Sequence, residues 1–359
     1  MTGTGVLPSA DLLAAESGRR SLRGPARWRH ETAGAGWYGI CRRGGGRCGA
    51  APGLGGDGVQ PGPPRDDADR CATAAGRPDR TWRAGRARRH EWDLVVDTWD
   101  GAPRAAGESA RALAGQVGCY IYVSSGSVYA EPVALGSAED APVVDAAPDA
   151  VEADYPSNKA GAERAVREVY GTRALIARAG LILGPGEDIG RLPWWLHRIA
   201  RGGDVLAPGP ADLALQYVDV RDLAAFLLGP EVPGGTFNVV SRTGHATMGE
   251  LLAACVAATG ADARLRWIEP ERILAAGVVP WNDLPIWVPA GHPYRWLQER
   301  DVRAACAAGL VCRPVAETVA DTWSWLQAVG AVPPRAGRPQ RAPVGLEPAR
   351  EAALLSAGS

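Results

Sequence analysis

From Glu91 onward the apolar residues fall into short runs separated by longer amphipathic stretches, and this alternation predicts an α/β protein built on a parallel sheet. Trp92-Asp93-Leu94-Val95-Val96-Asp97 reads as a buried strand, because a short β-branched run bounded by polar residues suits a sheet covered on both faces. A helix follows over 102–115, a strand over Cys119-Tyr120-Ile121-Tyr122-Val123-Ser124, a helix over 155–170 and a strand over Ala174-Leu175-Ile176-Ala177-Arg178. Beyond Gly184 the pattern loosens into a Trp-rich helix at 193–201, a strand at 215–219, a helix at 220–228, a strand at 236–240 and helices at 247–258, 299–308 and 315–328. The Pro- and Arg-rich stretch from 332 reads as a tail. The summary is a doubly wound, Rossmann-like parallel sheet over 91–245, a smaller capping region over 246–330 and a tail over 331–359.

Residues 1–90 do not share the pattern. Their eight Val, Ile and Leu residues (Val6, Leu7, Leu12, Leu13, Leu22, Ile40, Leu54, Val59) are too few for two or three buried strands, and the Gly, Arg and Pro content is that of a disordered segment. Charge divides at the same place. Residues 1–90 hold 16 Arg against 8 acidic residues, whereas the remainder holds 23 basic against 32 acidic, so the net charge of −1 conceals a basic arm on an acidic domain.

No apolar run is long enough for a transmembrane helix. The Arg19-Arg20 pair is followed by Ser21-Leu22-Arg23-Gly24-Pro25 and not by an apolar segment, so it is no export signal and a cytoplasmic location is expected. Seven cysteines, an odd number with no CxxC spacing, give neither a zinc site nor a disulfide framework, and no metal is expected. Among 39 basic residues the sole lysine is Lys159. In a chain that otherwise uses arginine throughout, that exception calls for a chemical reason.

Tyr155-Pro156-Ser157-Asn158-Lys159 opens a predicted helix, and a spacing of four puts the phenol and the ammonium on one face. A neighbouring cation favours the phenolate, which suits Tyr155 to general acid/base work. A compact ammonium with three donors can also hold a pair of hydroxyls, for which a planar guanidinium is a poor substitute. About thirty residues earlier, Val123-Ser124-Ser125-Gly126-Ser127-Val128-Tyr129 ends a strand in hydroxyls, at the edge where parallel sheets bind ligands.

The ordered run of these motifs, continued by Arg178 to Gly184-Pro185 and by Gln216-Tyr217-Val218-Asp219-Val220-Arg221-Asp222, resembles the extended short-chain dehydrogenase/reductase family of NAD-dependent epimerase/dehydratase type over about 91–330. The resemblance implies a catalytic triad of Ser125, Tyr155 and Lys159. It implies that Tyr155 transfers the proton, that Lys159 holds the nicotinamide ribose, that Asp97, Thr98 and Ser124 lie along an NAD(P) cofactor and that Ala179-Gly180-Leu181 lie near the nicotinamide. Leu181 stands where sugar-nucleotide epimerases commonly have Asn, which argues against a nucleotide-sugar substrate. Trp194, Trp195 and Gln216 are weaker candidates for lining the pocket, and packing is the plainer reading of both tryptophans. Members of the family often pair through helices, so a homodimer is an expectation carried by the resemblance alone.

The family also requires a first strand that runs into a Gly-x-x-Gly-x-x-Gly turn, where the backbone can approach a pyrophosphate. Residues 1–90 contain no such element: Gly44-Gly45-Gly46 and Gly53 to Gly58 follow no apolar strand. A one-nucleotide shift of reading register across about 28–89 accounts for this. Trp28 through Arg42 then permits LLVLGGTGFVG and Leu54 through Gly62 permits WEVTVFNRG, and the Arg of the second string leans toward NADP over NAD. The first strands are therefore expected to be missing or replaced, and cofactor binding to be impaired. The resulting expectation is an NAD(P)-dependent oxidoreductase, epimerase or dehydratase acting on a small hydroxy or keto substrate. The alternatives are a non-catalytic nucleotide- or RNA-binding module on the same fold and the inactive product of a frameshifted gene, although nucleic acid is not the expected partner and no membrane association is expected.

Overall fold

The computed structural model describes residues 38–41, 71–73, 92–229, 234–332 and 344–356. Among these residues a six-stranded sheet forms the frame. Its parallel part comprises β3 (Trp92–Asp97), β4 (Val117–Ser125), β5 (Ala174–Ala179) and the edge strand Gly235–Val239, in that spatial order. The connections between parallel neighbours are helical: α1 (Pro103–Leu113) joins β3 to β4, and α2 (Tyr155–Tyr170) lies between β4 and β5. The α/β class expected from the alternation is the observed one.

The side-chain period of two explains why these strands read as continuous apolar runs. Tyr120 and Tyr122 of β4 face the cluster that contains Ala106 and Ala110 of α1 and Ala162 and Val166 of α2. Ile121 and Val123 face the opposite cluster, with Leu223, Phe226 and Phe237. Both faces are covered, so alternation with polar residues would bury uncompensated polar groups. α2 starts cleanly because Asp154 caps it, accepting from the Ser157 amide at 2.9 Å, and because Pro156 lies in the first turn. It stops at Gly171, whose φ of 54° is open to glycine. The two helices approach closely at Gly161, where a Cβ would lie 2.6 Å from the Ala147 carbonyl oxygen and 2.7 Å from Pro103 Cγ.

Within residues 1–90 the few described residues form strands where disorder was expected, and they replace the first strands of the fold. Two short strands, β1 (Tyr38–Cys41) and β2 (Cys71–Thr73), join the sheet beyond β3. β1 runs antiparallel to β3 and β2 antiparallel to β1, so the position beside β3 is filled by a strand of reversed direction. Scarcity of Val, Ile and Leu did not prevent this, because the pairing runs through backbone groups. The glycine runs 44–46 and 53–58, and the rest of the segment read as disordered, lie outside the described residues.

Several carboxy-terminal expectations also need correction. The predicted strand 215–219 is two short pieces, Ala214–Leu215 pairing with Ala246–Thr247 and Val218–Asp219 pairing with Ile182–Leu183. The predicted helix 299–308 is confined to Arg303–Ala307, after a 3-10 turn at Arg295–Gln298. A parallel pair, Gly203–Pro208 with Ala263–Ile268, was not anticipated. Nor is the stretch after 332 simply a tail: Pro348–Ser356 is a helix, Leu354 is buried, and Glu351 meets Arg198 of α3 (Arg191–Ala200) with an Nε–Oε2 distance of 2.6 Å. A glutamate and a leucine three residues apart share one helical face, and composition alone hides that. No helix among the described residues is long and apolar enough to cross a membrane.

Candidate active site

Because β3, β4 and β5 are parallel, their last residues, Asp97, Ser125 and Ala179, fall on one edge of the sheet. Ser125 is fully buried, and its hydroxyl accepts from the Ser127 amide at 3.2 Å, tightening a 3-10 turn over Gly126–Val128. α2 packs against that turn and against β4. Tyr155, the first residue of α2, is 6% exposed and Lys159 is 4% exposed.

Lys159 is fixed from several sides. Its Nζ donates to the Val123 carbonyl oxygen at 2.7 Å and to the Trp99 carbonyl oxygen at 2.9 Å, so one ammonium ties α2 to β4 and to the segment after β3. The same Nζ lies 5.0 Å from the ring centroid of Tyr122 and 5.9 Å from that of Tyr155. Val123 is two residues before Ser125, so Lys159, Tyr155 and the serine-tipped end of β4 gather in one region. Tyr122 donates to the Trp99 carbonyl at 2.9 Å. Burial and the nearby carboxylate of Asp97 hold that phenol protonated, well above the ordinary tyrosine range.

Ser124 does not face the same partners as Ser125. Its hydroxyl donates to Glu163 Oε1 at 2.6 Å, and Glu163 is held by Arg178 of β5 through Nε–Oε1 at 3.0 Å and Nη2–Oε2 at 2.9 Å. The Arg178 guanidinium lies 4.9 Å over the Tyr129 ring, and Tyr129 in turn donates to Asn238 Oδ1 at 2.7 Å. Ser124 is therefore a structural tie between strand and helix. Glu163 and Tyr122 were not singled out from sequence. Helical spacing could have found the first, four residues after Lys159, and strand alternation the second, two before Ser124.

Asp97 is wholly buried at the end of β3 and accepts from Tyr120 at 2.6 Å and from the Trp99 amide at 2.8 Å. Desolvation outweighs these donors and raises its carboxyl to about 6. Thr98 follows it. Gly180, after β5, donates its amide to the Val239 carbonyl at 3.2 Å, and Leu181 accepts from the Val218 amide at 2.8 Å and is buried. Trp195 is fully buried in the carboxy-terminal core with its indole nitrogen donating to the Pro285 carbonyl at 2.8 Å, and Trp194 stacks edge-on to it at 4.7 Å. Both tryptophans pack. Gln216, fully buried, bonds the main chain of Arg300. Among the described residues no group of three or more His, Cys, Asp or Glu could hold a metal ion.

A hydroxyl beside the end of β4 is left unsatisfied. Ser127, 7% exposed in the turn after Ser125, has a buried hydroxyl with no hydrogen-bond partner. A buried hydroxyl without a partner costs about 1–3 kcal/mol.

No curated protein matches the chain. Similar solved structures include RMD from Pseudomonas aeruginosa complexed with NADPH, 18% identical, covering 70% of this chain and 86% of that one with a TM-score of 0.47. Another is UDP-glucuronic acid 4-epimerase from Bacillus cereus in complex with NAD, 12% identical, covering 63% and 67% with a TM-score of 0.42. The Bordetella bronchiseptica enzyme WbmH in complex with NAD+ is 18% identical over 62% and 67%, with a TM-score of 0.46. Residues 102–229, the span that contains Ser125, Tyr155 and Lys159, match the NAD dependent epimerase/dehydratase family.

Proposed function

We propose that the chain is an NAD(P)-dependent oxidoreductase, epimerase or dehydratase in which Tyr155 exchanges a proton with a small hydroxy or keto substrate. The observation that carries this reading is the fixing of Lys159 on the Val123 carbonyl, two residues from Ser125, with the Tyr155 ring 5.9 Å from the ammonium.

The donor set suits the nicotinamide-ribose half of such a cofactor. Lys159 and Tyr155 would hold ribose hydroxyls, the backbone of Gly180 and Leu181 would border the nicotinamide, and the unpartnered Ser127 hydroxyl supports an occupied site. When bound, the nicotinamide supplies the hydride acceptor or donor. Ser125 orients the substrate oxygen by a hydrogen bond, Tyr155 takes or returns the proton on that oxygen, and the ammonium beside it stabilises the phenolate that results. The dry wall formed by Tyr122 and the strand tips strengthens each of these interactions.

The pyrophosphate half fits less well. The strand beside β3 is antiparallel, whereas a phosphate cradle needs a parallel strand leading into a helix amino terminus. We therefore infer weak dinucleotide affinity for this chain, with the 2′-phosphate preference left to the reading register of residues 28–89. Calorimetric titration with NADH and NADPH, paired with nicotinamide-absorbance assays of wild type and Tyr155→Phe over a set of hydroxy and keto compounds, tests both statements. Turnover that survives Tyr155→Phe defeats the proton-transfer role, and micromolar dinucleotide affinity defeats the inference of a damaged phosphate site.

A further inference from the structure

The turn that follows β3 joins a buried acid to Lys159 and Tyr155. Asp97, the last residue of that strand, is wholly buried, and both of its oxygens meet protein groups. Oδ2 accepts from the Tyr120 hydroxyl at 2.6 Å, and that hydroxyl lies 3.2 Å from Ser109 Oγ of α1. Oδ1 accepts from the Trp99 amide at 2.8 Å, the arrangement by which an aspartate closes a tight turn two residues onward. The carboxyl is therefore placed by β4 and α1, and it in turn places the backbone of Trp99.

Trp99 passes that constraint on. Its carbonyl oxygen receives two donors, Lys159 Nζ at 2.9 Å and the Tyr122 hydroxyl at 2.9 Å. Its indole is held separately: Nε1 donates to the Ala102 carbonyl at 2.9 Å, and the ring packs so closely on Gly101 that a Cβ there would collide with it. With the amide tied to Asp97 and the ring tied to the next turn, the Trp99 carbonyl is directed at the ammonium. The Val123 carbonyl, 2.7 Å from the same Nζ, fixes the lysine along β4, and the Trp99 carbonyl fixes it on the side of β3.

We propose that Asp97 is a positioning residue for proton transfer: it locks the turn whose carbonyl, that of Trp99, seats the Lys159 ammonium beside the Tyr155 ring. This deepens the reading of Tyr155 and Lys159 as the proton-transfer pair and rests on it. Asp97 touches neither side chain through a hydrogen bond, so it acts through Trp99 and through its charge. The charged and titratable groups around it are Tyr120 and Tyr122 of β4, Lys159 of α2 and Asp100 after the turn. Burial raises its carboxyl to about 6, and the donors Tyr120 and Trp99 and the charge of Lys159 pull it down. The coupling is reciprocal, so an ionised Asp97 favours the ammonium form of Lys159 as much as the ammonium favours the carboxylate.

Lys159 is the sole lysine of the chain, so the full-length protein labelled with carbon-13 at lysine Cε gives one NMR signal, that of the residue in question. In wild type that signal should stand apart from its position in the urea-unfolded chain and should show an inflection near pH 6, as Asp97 titrates. Asp97→Asn, which keeps an acceptor for the Trp99 amide, should leave the signal near its wild-type position and remove the inflection. Asp97→Ala, which removes the acceptor, should move the signal toward the unfolded position while tryptophan fluorescence still reports a folded chain. A wild-type signal without the inflection, or a folded Asp97→Ala protein whose signal coincides with that of wild type, overturns the proposal; if the alanine variant does not fold, wild type against Asp97→Asn decides alone. No substrate or dinucleotide enters the measurement. Turnover that survives Tyr155→Phe would sink the proton-transfer reading and leave the lysine signal where it is, so the two failures are distinct.

Discussion

Glu163 and Arg178 form a bidentate ion pair buried between α2 and β5, and the same carboxylate receives the hydroxyl of Ser124. Each side chain is 3% exposed, and the pairing holds the Arg178 guanidinium in its charged form against the penalty of burial. The pair joins the helix that carries Tyr155 and Lys159 to the strand whose end carries Ala179. Removing one partner strands the other as an unpaired buried charge. Glu163→Leu is therefore expected to lose about 3–5 kcal/mol of stability, whereas Glu163→Leu combined with Arg178→Met should lose less than the single change. Urea unfolding of both variants measures this, and a double variant no more stable than the single one would contradict it.

Lys159 is predicted to be irreplaceable by arginine on packing grounds as well as chemical ones. The ammonium fills a space bounded by two carbonyl oxygens and the rings of Tyr122 and Tyr155. A guanidinium is larger and planar, and forcing it into that space costs about 1–3 kcal/mol of overpacking. Lys159→Arg should lower the melting temperature by several degrees, and Lys159→Met should do so too, since it leaves the Trp99 carbonyl with one donor fewer and the Val123 carbonyl without that of Lys159. A calorimetric scan in which the arginine variant melts with the wild type would show the space to be permissive.

The regular βα units were legible because their signals are local. The run Trp92 to Asp97 and the Tyr155-Lys159 helix could be read residue by residue, and the residues they place at the sheet edge followed. The ties that hold the site together were not legible, because they connect residues far apart in sequence: Lys159 to Trp99, Glu163 to Ser124 and Gln216 to Arg300. The helix Pro348–Ser356 was hidden for the opposite reason, since the Pro and Arg residues of the preceding stretch dominate the composition of that region.

Asp97 makes the stability of the protein depend on pH in an unusual direction. Burial raises its folded-state pKa from 3.8 to about 6, so the folded chain binds this proton more tightly than the unfolded one. Its contribution is fully present below the ordinary carboxylate range and is lost as pH rises through about 6; Glu187, raised to about 7 by burial, acts with the same sign at slightly higher pH. Asp97→Asn removes the titration while keeping a group that can meet Tyr120 and the Trp99 amide. Relative to wild type, the variant should gain stability between pH 4 and pH 7.5, by on the order of 2–3 kcal/mol. Unfolding free energies measured across that range should converge at the acid end and separate at the neutral end, and a difference that stays constant with pH would rule out Asp97 as the cause.

Ser127 offers a separation of stability from function. Its hydroxyl is buried and bonded to nothing, so the folded protein carries a desolvation cost with no compensating hydrogen bond. If that atom serves only packing, Ser127→Ala leaves turnover unchanged. If it receives a bound group beside Ser125, the same substitution raises the stability of the free protein by about 1 kcal/mol and weakens ligand binding or turnover by about tenfold, since one hydrogen bond is lost only in the complex. The second pair of outcomes is expected. Thermal unfolding of the ligand-free variant, alongside dinucleotide titration and the turnover assay, reads both sides at once, and a variant that is more stable yet binds and turns over as wild type does would assign the hydroxyl to packing alone.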